Sequence, residues 1–76
     1  MATTVTTTTI KSAIDGQPAS AVLLYRMRWL TQFYGGDTVR EYPVSLGASE
    51  ILRRIKCERA DRRSCGRIVD ELIQID

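Results

Sequence analysis

The longest unbroken apolar run, Ala21 to Tyr25, opens a stretch reaching Tyr34 whose hydrophobic period decides what the chain can fold into. Taken with period 2, Leu23, Tyr25, Met27, Trp29 and Phe33 fall on one face, and Arg26, Arg28 and Gln32 share the other with Leu24 and Leu30. Taken with period 3.6, Val22, Tyr25, Trp29 and Phe33 form a stripe, Pro18 suits a first helical turn and Gly35 a C-terminal cap. The helix would carry Arg26 in the middle of its apolar face. That misplaced charge selects the strand, and the helical alternative for residues 18–34 would make the protein mostly α.

The flanks are read in the same way. Val5 to Ile14 is dominated by threonine, with Val5, Ile10 and Ile14, and β-branched side chains favour the pleated sheet. Asp15-Gly16 offers the residue pair of a tight hairpin turn. Gly35-Gly36-Asp37 reads as a second turn and Thr38 to Val44 as a third strand, its end placed at a sheet edge by Pro43. After Gly47 the period becomes helical: Ile51, Leu52 and Ile55 form one apolar set, and Cys65, Ile68, Val69, Leu72 and Ile73 a second. Ser45 or Ser49 would cap the first helix, with Glu50 near the positive end of its dipole. Between the sets, Glu58 to Ser64 has only Ala60 as an apolar residue, which favours two helices split by a polar turn. Gly66 blurs the start of the second. The expected fold is therefore α+β: a small antiparallel three-stranded β-meander followed by one or two C-terminal helices packed on one face.

A chain of 76 residues can fill one core, so residues 1–76 read as a single small domain. Such a core seldom supplies more than about 3–5 kcal/mol, which makes a partner or a second copy a common supplement. The hydrophobic share of 43% and the charged share of 26% are those of a globular protein rather than a disordered or membrane one. Met1 to Thr9 lacks the basic and apolar regions of a secretory signal, so a cytoplasmic location is expected, with Cys57 and Cys65 as free, buried or half-buried thiols. Eight residues apart on one straight helix they would stand about 12 Å from each other, too far to bridge.

Histidine is absent, which removes the usual general base and the commonest metal ligand. Two cysteines make half a zinc site at most. Gly35-Gly36 lacks the remainder of a nucleotide-binding motif, and Asp70 and Glu71, adjacent on a helix, would point apart. These absences argue against an enzyme, a metal site and a cofactor.

The charge is uneven. Arg53, Arg54, Lys56, Arg59, Arg62, Arg63 and Arg67 face only Glu58 and Asp61 over the same segment, although the net charge of the whole chain is only +2. Arginine presents a planar fork suited to carboxylate and phosphate. With Arg26 and Arg28 projecting together from the far side of the sheet near Glu41, and with Tyr34 beside the double glycine, these six helical cations (Arg53, Arg54, Lys56, Arg59, Arg62 and Arg63) form the expected partner-binding set. Tyr25 and Trp29 belong to the core.

In size and character the chain resembles the accessory proteins of phages and mobile elements, anti-CRISPR inhibitors of bacterial defence among them; no motif carries that likeness. It implies a small non-catalytic protein that blocks or modulates a larger protein or nucleoprotein partner. The alternative is an arginine-rich nucleic-acid-binding module, possible as a homodimer, against which stand the slight net charge and the acidic Asp70, Glu71 and Asp76.

Overall fold

The computed structural model of the chain describes residues 6–31 and 35–76. It contains helix α1 (Thr7–Ile14), strands β1 (Val22–Leu30) and β2 (Gly35–Pro43), a 3-10 turn (Val44–Leu46), helix α2 (Ala48–Cys65) and strand β3 (Arg67–Ile75). Val5, Gln32, Phe33 and Tyr34, used in the sequence reading, lie outside the described residues, as do Met1 to Thr4.

The three strands form one antiparallel sheet in the order β2-β1-β3. Both edge strands run antiparallel to β1, and so parallel to each other, with α2 carrying the chain from one edge to the other. This is a split β-α-β arrangement, and the long helix supplies the span that a parallel connection requires. The protein is α+β, but the meander is overturned: the sheet takes its third strand from the C-terminus. The mostly α alternative is overturned as well, because Val22–Leu30 is the central strand.

The N-terminal threonine segment is a helix rather than a strand. Thr6 caps it, its Oγ1 accepting from the Thr9 backbone N–H at 3.1 Å, and Ile10 is wholly buried. In so short a segment the cap and one anchored side chain outweigh the β preference of threonine. Asp15-Gly16 ends this helix instead of closing a hairpin: the Asp15 N–H reaches the Lys11 carbonyl at 2.9 Å, and Gly16 takes φ 84°, a left-handed value natural to glycine.

Two further expectations fail, each for its own physical reason. The polar stretch Glu58 to Ser64 is not a turn but the second half of α2, an unbroken helix of 18 residues, because its polar side chains have partners on the sheet. The second apolar set lies in β3. There the register against β1 slips between Arg28 and Trp29, pairing Met27 with Glu71 and Trp29 with Ile68. This bulge leaves Ile68 and Glu71 three apart on one face, a spacing that imitates a helix. Gly35-Gly36-Asp37 belongs to β2 rather than to a turn, and Gly47, not Ser45 or Ser49, stands at the start of α2, since Ser45 is taken up by the 3-10 turn.

The core lies between one face of the sheet and the two helices. Leu23, Tyr25 and Met27 of β1 meet Ile10 of α1 and Ile51 and Ile55 of α2, all at 0% exposure, with Tyr42 and Val44 closing the β2 end. Burying each such aliphatic side chain is worth roughly 1.5–3 kcal/mol.

Gly66 alone separates α2 from β3. Its backbone is extended, a conformation open to any residue, but an added Cβ would lie 2.3 Å from the Leu30 carbonyl oxygen and 3.1 Å from the Trp29 ring. Backbone cannot retreat as a flexible side chain can. Gly66→Ala is therefore expected to lower unfolding free energy by about 1–3 kcal/mol, read from the shift of a urea denaturation midpoint.

Candidate functional site

Along α2, Ile51, Ile55, Glu58, Arg59 and Arg62 succeed one another at helical spacing and so share the face turned to the sheet. The N-terminal half of that face is aliphatic and the C-terminal half is ionic. Glu58 and Glu71 are each only 8% exposed. The Glu71 carboxylate on β3 accepts from the Tyr25 hydroxyl on β1 and from Arg59 Nε on α2 at 2.7 Å. Glu58 pairs with Arg40 Nε of β2 at 2.7 Å and, more loosely, with Arg62 at 3.6 Å. The Arg62 guanidinium lies 4.6 Å from the centre of the Trp29 ring. Its Nε is buried without a hydrogen-bond partner among the described residues, a cost partly offset by the attraction between the cation and the ring.

Burial pushes the Tyr25 phenol well above its ordinary value of 10.0, and its hydrogen bond to Glu71 pushes it further, against the opposing influence of Arg59. Burial also raises Tyr42.

The outer face of α2 is different. Arg53 grips Glu50 with two bonds, of 3.0 and 2.6 Å, and Arg54 Nε reaches the same carboxylate at 3.3 Å. The Arg53 guanidinium pulls the Glu50 carboxyl down to about 2, with desolvation opposing and Arg54 assisting. One carboxylate thus serves two guanidiniums. Lys56 and Arg63 are exposed and make no ion pair among the described residues. Beside Arg53 and Arg54 runs a groove of about 580 Å³ between Arg40 and Tyr42 of β2 and Arg53, Arg54, Cys57 and Asp61 of α2, with Glu58 also lining it.

The arginine segment expected to form one binding face is therefore divided. Arg53, Arg54, Lys56 and Arg63 point outward, whereas Arg59 and Arg62 are turned to the sheet and serve the fold. Arg26 and Arg28 are exposed on the face of the sheet opposite the helices. Arg28 pairs with Asp37 at 3.2 Å, both side chains 60% exposed, an arrangement worth little in water. Arg26 stands opposite Val39, and Glu41 opposite Leu24, so Glu41 is a diagonal neighbour rather than a direct one. Tyr34 lies outside the described residues. Cys57 and Cys65 are free and exposed rather than buried; on one straight helix they stand too far apart to bridge.

Sequence reading missed Arg40, Tyr42 and Glu71. The signal that could have found the ionic layer was present: Glu58, Arg59 and Arg62 continue the Ile51–Ile55 stripe at helical spacing, which marks them as inward.

No protein-family model matches the chain, and no match is found among curated proteins or solved structures. Among the described residues no group of three or more His, Cys, Asp or Glu side chains could hold a metal ion, and no helix is long and apolar enough to cross a membrane.

Glu71→Ala would remove the carboxylate that Arg59 Nε and the Tyr25 hydroxyl share, in a site where the Arg59 side chain is only 18% exposed, and is expected to cost about 3 kcal/mol, measured by chemical denaturation. The Tyr25 phenol gives a second expectation. Because its folded value lies above the unfolded 10.0, the neutral phenol stabilises the fold fully below that pH. The contribution shrinks as pH rises beyond it. Ultraviolet titration should show one phenol ionising only as the protein unfolds, and Tyr25→Phe should abolish that late step.

Proposed function

We propose that the chain works by binding, without catalysis, and that its partner is a larger protein held by the outer face of α2 and the groove beside it, whose activity is blocked or modulated by that contact. The reading rests on the way the cations are sorted. Arg59 and Arg62 are consumed by the sheet, and Arg53, Arg54, Lys56 and Arg63 are left exposed around the outer side of α2, the first two of them beside the groove. The guanidiniums of Arg40, Arg53 and Arg54 around a groove that also holds Tyr42 suit the carboxylates and flat side chains of a protein surface.

Charge favours protein over nucleic acid. Glu58 and Asp61 line the groove and Glu50 already occupies two of the arginines. A phosphodiester backbone would be repelled at the first two and offered half-neutralised cations at the others. A partner of mixed charge can meet both signs. The lack of histidine supports a non-catalytic role.

Arg53, Arg54, Lys56 and Arg63, all changed to glutamine so that no new carboxylate is set against Glu50, should leave the melting transition in place. Arg62 must be spared, since it pairs with the buried Glu58. The native chain, used as bait in lysate of its host, should hold a stoichiometric protein complex through moderate salt, and the quadruple variant should bind that protein at least about 100-fold more weakly. Equal affinity of the folded variant, or a complex dissolved by nuclease, would reject the reading, the latter in favour of a nucleic-acid-binding module.

A further inference from the structure

The helices cover one face of the sheet, and the opposite face is left bare. Its rows follow from the register: Glu41, Leu24 and Gln74; then Val39, Arg26 and Leu72; then Asp37, Arg28 and Asp70. Val39 is 47% exposed and Leu30, at the end of the same face, 45%. Among the described residues neither the Arg26 nor the Glu41 side chain makes an ion pair or hydrogen bond, although both project from this face.

We propose that this face is an interface between two copies of the chain, packed sheet on sheet with the helices outermost. The proposal is independent of the partner reading above, which concerns the far side of α2. Charge complementarity identifies the occupant. A two-fold axis lying in the interface and crossing the strands between the Leu24 and Arg26 rows reverses the strand direction of the second copy. It seats Arg26 over Leu24 of the second copy and beside that copy's Glu41, twice over by symmetry. Leu24, Val39 and Leu72 of both copies fill the centre, and the Arg28 row moves outward over the Val22 row. An axis along the strands would instead stack Arg26 on its own symmetry mate, so the crossing arrangement is the one selected. Nucleic acid fits poorly, since Asp37, Glu41 and Asp70 share the surface.

The size is sufficient for a modest association. Strands of nine residues rise roughly 3.3 Å per residue and lie roughly 4.8 Å apart, giving a face of about 30 by 14 Å. Two such faces bury on the order of 1,000 Å² in total, the lower limit for a specific interface and the size of weak, transient ones.

Sedimentation equilibrium on the intact chain, from low micromolar to millimolar concentration, is expected to show monomer passing to dimer. Arg26→Glu should raise the dissociation constant at least about 10-fold, and the swap Arg26→Glu with Glu41→Arg should restore it. Val39→Lys, at a half-exposed position that the monomer does not need, should weaken the dimer in the same way while circular dichroism stays native. A chain that remains monomeric throughout, a dimer indifferent to both single substitutions, or a swap that fails to recover association would overturn the proposal.

Discussion

Glu71 holds the architecture together at the point where an apolar core runs out. The aliphatic packing that begins at Ile10 and Ile51 does not extend along the full length of α2, and beyond Ile55 the helix would have no reason to stay on the sheet. A carboxylate on the edge strand, reached by the hydroxyl of the central strand and the guanidinium of the helix, supplies one. Such a layer adds less stability than the same volume of hydrocarbon, because charges lose water on entering it. It adds geometry, since the three elements can meet that oxygen in only one register. The Glu58 cluster does the same for β2, through Arg40.

That internal use of charge governs what is left for the surface. A short chain with eleven cations could present all of them outward. Here the fold withdraws Arg59, Arg62 and Arg40 into pairs with carboxylates, and the remaining positive groups on α2 occupy its far side. The surface is consequently segregated: a cationic helical flank on one side, and on the other a sheet face of mixed sign with aliphatic patches. Each is suited to a different kind of contact, and neither competes with the other for space.

The strand at the centre of the sheet was legible in the sequence because Arg26 rules out the helical alternative with one residue. Pro43 likewise marked the end of an edge strand, and Gly47 the change of period. The rest was hidden by identifiable physics. Threonine-rich Thr7–Ile14 follows tertiary anchoring through Ile10 against its own preference. The bulge in β3 scrambles the alternation by which a strand is recognised. Glu58 to Ser64 looks like a solvent-facing turn as long as its partners, Tyr25, Arg40 and Glu71, are not known to be opposite it, and those partners come from three separate strands. Of the candidate site, the cluster of cations could be seen from spacing alone, but its division into inward and outward members depended on that same hidden layer.

The joint at Gly66 has a mechanical meaning. α2 passes into β3 through a single residue wedged against the Leu30 carbonyl, so the helix has no slack with respect to the sheet. A molecule that seats on the outer flank of α2 grips a body already fixed in shape. Little freedom is lost on docking, and a small contact area can then hold more tightly than it would on a floppy scaffold.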